Sequence, residues 1–500
     1  MTKISFNANQ TGEVFAPYWH KVICAGRAAE GLREAWRNQF KELQKEIGFE
    51  YIRFHGLLHE DIMIYRENKD GNPIYNWQYV DELFDFLLEN KIRPIVELGF
   101  MPYDLASGEK YQFWWKGNIT PPKDYDKWIN LIKELVKHFI NRYGISEVLK
   151  WYFEVWNEPN DNFWASTLEE YCKMYEYTVN AIKSINNNIK VGGPAAPGHA
   201  TDGFSDIVDN FITYCDKNNV TVDFISTHPY PNSWPLDTEG NCVTAYRDEN
   251  SLRTDLSWLK ERLEKSSYKN AEIHLTEWNS SPSPRDLVHD TAFMAPFIIQ
   301  NNLKNIGLVD SLGFWTFTDI FEENAAGSTI FHGGFGLINF QGLKKPSYYG
   351  YWFLSKLGDE RLTWGDNYFV TRKENKIQIL IWNYCHYEET FATGDTTGLT
   401  QYERYSIFKE KNISVEISVD GLEGDYRVIS YAFGRENGSI FDIWRNNGAP
   451  ASPTSEELEI LKKNNGPKGS IKYIKNAKAF NRQFLLKPHD VFLIELHKQL

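Results

Sequence analysis

Between about residue 20 and residue 320, short apolar runs alternate with longer stretches whose apolar residues recur at helical spacing. The runs His20–Cys24, Tyr51–His55, Arg93–Leu98, Leu149–Val155, Lys190–Gly193, Asp223–Thr227, Ala271–His274 and Ser311–Thr316 read as strands. The stretches between them read as helices: a charged one ending near Ile47, then Tyr79–Asn90, Tyr125–Tyr143, Leu168–Ile185, Phe204–Lys217, Ser251–Lys265 and Thr291–Leu303. The helix at Tyr125 comes late, after a long loop. Such alternation predicts an α/β fold, a (β/α)₈ TIM barrel with a parallel sheet closed on itself.

The pattern changes after about residue 360. Tyr368–Thr371, Ile377–Trp382, Ile413–Val419, Tyr426–Ser430 and Val491–Leu496 are short strand-like runs separated by polar turns, the pattern of an accessory antiparallel β-sandwich. A polar insertion interrupts it, with a helix expected at Thr454–Lys463 between Pro453 and Gly466-Pro467. The predicted organisation is a catalytic barrel over 15–325, a sandwich built from 1–14, 326–430 and 471–500, and a small helix-containing insertion at 431–470.

Composition narrows the class of partner. The chain has 500 residues and a net charge of −13, from 54 basic and 67 acidic residues, which disfavours nucleic acid and anionic membrane. No apolar run approaches the ~18 residues that span a bilayer. Met1–Val14 lacks a basic start followed by an apolar stretch, so no signal peptide and a cytoplasmic location are expected. The cysteines are 5 in number, widely spaced and without a C-x-x-C pair, so reduced thiols are expected rather than disulfides or a zinc site. Aromatics make up 15% of the chain, with 17 Trp and 28 Tyr, an excess that fills cores and also suits stacking on sugar rings.

The barrel also says where chemistry should sit, at the carboxyl ends of its strands. Trp156-Asn157-Glu158-Pro159 follows the fourth predicted strand, and Leu275-Thr276-Glu277-Trp278 ends the seventh. Two carboxylates on one face of a barrel can cleave a glycosidic bond, one donating a proton to the leaving oxygen and the other attacking or activating water. Glu277 is the expected nucleophile and must be ionised. Glu158 is the expected acid/base and must hold a proton. Asn157 either bonds a sugar 2-hydroxyl or caps its own turn. Pro159 is expected to keep Glu158 extended. His55 and Glu97, ending strands two and three, could bind hydroxyls, although Glu97 could equally pair with Arg53. Trp315, ending strand eight, is either a platform under the sugar or barrel core. Trp114 and Trp115 could wall the aglycone side. His332-Gly333-Gly334-Phe335-Gly336 lacks the ending of a phosphate loop. No metal and no cofactor is called for by this chemistry.

These residues, together with Tyr51–Arg53, His55–Leu58, Gly117–Tyr125, Val288–Thr291 and Phe331–Leu337, give the chain a resemblance to the β-xylosidases of glycoside hydrolase family 39. The resemblance runs from about residue 20 to 350 and continues weakly to the end. It implies a retaining enzyme with its glutamates on strands four and seven, acting on β-D-xylosides and short xylo-oligosaccharides, and often tetrameric. It implies that Tyr230 donates a hydrogen bond to Glu277 and that His228 contacts sugar or carboxylate. It also implies that Glu322 and Glu323, in the loop after strand eight, hold outer hydroxyls. Cys24–Ala29 and Thr227–Tyr230 depart from the turns expected after strands one and six. Those turns are expected to line the sugar site, so another β-glycoside or an arabinoside stays open as substrate. A non-catalytic carbohydrate-binding barrel is the alternative class.

Overall fold

The computed structural model describes the chain except residues 161, 198–203, 233–246, 322, 324–326, 393–399, 401–402 and 500. Eight strands close into a parallel barrel: Val22–Arg27, Tyr51–His55, Arg93–Glu97, Tyr152–Glu154, Lys190–Pro197, Phe224–His228, Glu272–Trp278 and Ser311–Phe314. Helices lie between them, among them Glu34–Glu46, Gln78–Glu89, Tyr125–Tyr143, Leu168–Lys183, Ser251–Glu264 and Met294–Lys304. The long third helix starts where Asp124 caps it, accepting hydrogen bonds from the Asp126 and Lys127 amides. The fourth strand is shorter than its apolar run. Ile145–Val148 forms a helical turn that Leu149 ends, and the strand starts only at Tyr152.

The two-residue period of a strand determines what fills the barrel. One layer holds Val22, Ile95, Tyr152 and Phe224, which pack together. The next layer toward the carboxyl ends is polar. Arg53 sits there, 0% exposed, opposite Cys24 and Ile95 in the strand register. Glu154 pairs in register with Glu97, so both carboxylates share that end of the barrel.

The rest of the chain builds an 8-stranded accessory sheet. Its strands are mostly antiparallel, and Thr2–Asn7 joins the long Ile413–Phe433 strand in parallel. That long strand changes partners near Gly421 and Gly424, where its register with Lys468–Leu486 shifts. Its first half lies beside Thr2–Asn7 and its second half beside Val491–Lys498. Side chains of both halves, including Val415, Ile417 and Val428, share one core with Ile4, Ile379 and Ile494. Between the two long strands lie the helices Ile440–Asn446 and Ser455–Asn464, the second closed by a capping box between Thr454 and Glu457.

A buried charge cluster joins barrel and accessory region. Lys345 Nζ lies 2.8 Å from Asp290 and 3.4 Å from Asp319. Arg404, from the accessory region, reaches Asp290 at 2.8 Å and donates to the carbonyls of Leu287 and Phe331. The glycine-rich segment folds against this cluster. Gly333 N–H donates to Asp290 and Gly336 N–H to Asp319. A Cβ on Gly333 would lie 2.5 Å from the Asp286 carbonyl, and one on Gly334 2.4 Å from the Asp319 carboxyl. The glycines are therefore needed for close approach, a packing role.

Candidate active site

A cavity of about 480 Å³ opens at the carboxyl ends of the strands. Asn157, Glu158, Tyr230, Glu277, His55, Glu323 and Trp315 line it. The expected residues from strands two, four, six, seven and eight thus converge on one space. Glu97 is just beneath, 1% exposed, and bonds both Arg53 and His55. Glu322 lies outside the described residues.

The site is organised around Arg53. Its Nη1 donates to Glu277 Oε1 at 2.6 Å, its Nε to Glu154 Oε2 at 2.7 Å, and its Nη2 to Asn157 Oδ1 at 2.8 Å. Nη2 also lies 2.8 Å from Glu97. The planar guanidinium fork can do this because its donors are fixed in direction; a lysine could not. With its carbonyl held by Arg53, Asn157 keeps its amide hydrogens for a ligand.

Glu277 is 6% exposed. Burial works to raise its pKa, but the charge of His228, the hydrogen bond from His55 and the charge of Arg53 hold the carboxyl well below the usual range. It is an ionised carboxylate that is largely buried. His55 is the reverse case. Burial opposes its charge, yet Glu97 at 2.6 Å and Glu277 at 3.3 Å push its pKa up to about 10. Tyr230 donates to Glu277 Oε2 at 3.1 Å. Glu323 lies 3.5 Å from His55. Burial carries its pKa well above the carboxylate range, against the His55 charge and with the repulsion of Glu277, Glu30 and Glu158.

Glu158 reaches into the cavity from the turn after strand four. Its Oε1 lies 2.9 Å from His228 Nδ1. Oxygens of Glu158 and Glu277 and a His228 nitrogen all lie within 4.8 Å of one another. Such a trio could chelate a cation, but both His228 nitrogens are already engaged, Nδ1 by Glu158 and Nε2 by Thr276 at 3.0 Å.

Several sequence expectations need correction. Glu158 is not extended: its φ is +44°, two residues after Trp156 at +71°. The turn holds it there through its amide, which donates to the Ala195 carbonyl at 3.1 Å, and left-handed backbone at non-glycine residues is characteristic of functional turns. Trp114 and Trp115 do not line the cavity. Trp115 packs against Phe100 and Ile119, and Trp114 is 61% exposed. Their neighbour Phe113 lines the wall instead, with Phe163, Gln112 and Asn162. The turn after strand one is buried and does not reach the cavity, whereas Tyr230, after strand six, does. Trp315 lines the cavity and also packs into the barrel core with Cys24 and Phe335. Asp319 belongs to the buried cluster with Lys345. Arg53 as the hub and Glu154 as its partner went unrecognised, because each looked like an ordinary strand residue; polar residues at inward positions of a barrel strand were the available signal.

Among known proteins, the model of the glycosyl hydrolases family 39 matches residues 2–480. A β-xylosidase of Caldicellulosiruptor saccharolyticus is 37% identical over 99% of this chain and 98% of its own. One from Geobacillus stearothermophilus is also 37% identical, over 90% of this chain and 86% of its own. The structure of a monomeric β-xylosidase from Caulobacter crescentus CB15 superposes with a TM-score of 0.91 at 29% identity, covering 100% of both chains.

Proposed function

The chain belongs to glycosyl hydrolase family 39, and from that premise we propose that it is a retaining, exo-acting β-xylosidase that releases xylose from xylosides and short xylo-oligosaccharides. The observation carrying this reading is the pair of carboxylates within 4.8 Å across the cavity, one of them held ionised. Glu277 attacks the anomeric carbon and Glu158 gives a proton to the departing oxygen. Water then attacks the glycosyl ester on Glu277 while Glu158 takes a proton back. Asn157 holds the 2-hydroxyl, a contact that strengthens as positive charge develops on the ring. Glu323 and His55 form the polar side of the sugar pocket, with Trp315 beneath it, and Glu97 below them holds Arg53 and His55 in place. The two relatives at 37% identity, both β-xylosidases, support xylose as the sugar.

Turnover of aryl β-D-xyloside beside the gluco, galacto and arabino analogues tests the reading. Dominant xyloside turnover, with the first-formed sugar retaining its β-configuration by NMR, is the expected result. Faster turnover of another sugar would replace xylose, and inverted product would remove the covalent mechanism. A cytoplasmic location and, by the family resemblance, a homotetramer complete the proposal. No helix among the described residues is long and apolar enough to cross a membrane. Light scattering tests the tetramer, and a monomer, as described for the C. crescentus protein, would remove it.

A further inference from the structure

Beneath the cavity a chain of hydrogen bonds runs from Glu158 into the barrel. Glu158 Oε1 meets His228 Nδ1 at 2.9 Å, and His228 Nε2 meets Thr276 Oγ1 at 3.0 Å. Thr276 in turn donates to Glu154 Oε1 at 2.7 Å, and Glu154 Oε2 accepts from Arg53 at 2.7 Å. Glu154, Thr276 and His228 are each 0% exposed and absent from the cavity lining. None of the three can be a sugar contact.

The order of protons along this chain is fixed from its buried end. Burial favours a neutral Glu154, but the charges of Arg53 and His228 and the hydrogen bonds from Thr276 and Ser226 keep its pKa below normal. An ionised carboxylate only accepts, so the single hydroxyl hydrogen of Thr276 must point at Glu154. The Thr276 oxygen can then only accept from the ring, and His228 must carry a hydrogen on Nε2. Its Nδ1 is left facing Glu158.

We propose that Glu154 and Thr276 are positioning residues which lock His228 in its Nε2–H form, so that Glu158 and His228 Nδ1 jointly hold the acid/base proton. The inference rests on Glu158 being the acid/base, as argued above. In the first step the glycosidic oxygen takes this proton as its bond to the anomeric carbon breaks and the bond to Glu277 forms. In the second, water bonds to the anomeric carbon, the Glu277 ester bond breaks, and the water's proton returns to the pair. Glu158 is thereby coupled to a buried base that substrate never touches. The charged or titratable groups facing this pair are Glu277, with Oε2 3.7 Å from His228 Nδ1, Glu154 through Thr276, and Tyr230 on Glu277. Arg53 faces them through its bonds to Glu154 and Glu277.

The test uses Thr276→Val and Thr276→Ser with aryl xylosides of good and poor leaving groups. Proton donation matters most for a poor leaving group and supplies about 10²–10⁴-fold in rate. Thr276→Val is expected to lower kcat/KM at least about tenfold more for the phenyl than for the dinitrophenyl xyloside, and to move the alkaline limb of the pH profile. Thr276→Ser, which keeps the hydroxyl, is expected to restore both. Equal losses on both substrates with an unmoved limb would overturn the proposal and leave Thr276 a packing residue. Nitrogen NMR of ¹⁵N-histidine-labelled unmutated enzyme, with the His228 signal assigned by its loss in His228→Asn, reads the ring directly. A neutral His228 protonated on Nδ1 alone would also overturn it. Failure of the underlying reading looks different: Glu158→Ala would then lose no more activity on the poor leaving group than on the good one.

Discussion

The protein buries charge in two places, and the two are built differently. At the seam between barrel and accessory region, Asp290 and Asp319 face Lys345 and Arg404, acid against base in equal measure. At the cavity, Glu97, Glu154 and Glu277 crowd one guanidinium, with Glu158 and Glu323 nearby and His55 as a further cation. Balanced charges leave no reason for a proton to move. The excess of carboxylates at the cavity does, because their surroundings shift their acidities in opposite directions. Glu277 is pushed down and Glu323 up by an environment they share. A buried ion cluster that is balanced is architecture; one that is short of cations can carry acid–base chemistry.

The contrast breaks most readily at Glu277. Glu277→Ala should lower kcat by more than about 10⁴-fold, beyond the loss expected for acid–base assistance alone, with circular dichroism and melting unchanged. Activity within tenfold of the parent would show that the cavity cluster is not the chemical one. The opposite result is expected at the seam. Arg404→Met leaves Asp290 short of a partner and should cost about 3–5 kcal/mol of stability, the usual loss on breaking a buried pair. Denaturant titration reads that loss. The kcat of the folded fraction should stay within about threefold, since Asp290, Leu287 and Phe331, which Arg404 holds, do not line the cavity. A large fall in kcat with intact stability would collapse the distinction between the two clusters.

The strands of the barrel were legible because each is a local pattern, and Tyr51–His55 and Tyr125–Tyr143 were read to the residue. Glu158 and Glu277 were legible because each stands at the carboxyl end of a recognisable strand. The Arg53 hub was not, since its partners come from strands three, four and seven, and a contact between distant segments leaves no trace in local periodicity. Glu154 is separated from Glu158 by only Val155-Trp156-Asn157, yet the strand ends between them, leaving Glu154 buried and Glu158 lining the cavity. Adjacency misled at Trp114 and Trp115, where the left-handed backbone of Phe113 (φ +64°) and Lys116 (φ +58°) accompanies a turn that sends the neighbouring Phe113 to the cavity. The glycine-rich Gly333–Gly336 serves close packing. What it packs against, Asp286 and Asp319, could not be inferred from spacing.

A smaller change sharpens the account of the cavity cluster. Arg53→Lys retains a positive charge and loses the fork that holds Glu154, Glu277 and Asn157 together. The kcat/KM should fall about 10²-fold, the scale of losing one preorganised electrostatic contact. Arg53 helps hold the Glu277 pKa down, so weakening it must raise that pKa. The acid limb of the pH profile should move to higher pH. A limb that stays in place would mean that His55 and His228 alone keep Glu277 ionised.

The smallest effect concerns acid stability at the seam. Burial would raise the Asp290 pKa, but Lys345 and Arg404 bring it down to about 2. A group whose pKa is lower folded than unfolded stabilises the fold above its unfolded pKa, and that contribution is lost as pH falls toward the folded value. For Asp290 the window runs from about pH 4, the ordinary aspartate value, down to about 2, and the contribution is roughly 2 kcal/mol. Asp290→Asn should therefore be less stable than the parent by a constant amount above pH 5, with the gap narrowing below pH 4. Urea titrations of both proteins across that range measure it. A gap that is independent of pH would assign the cost to lost hydrogen bonds with Gly333 and Arg404, rather than to the charge balance that sets the seam apart from the cavity.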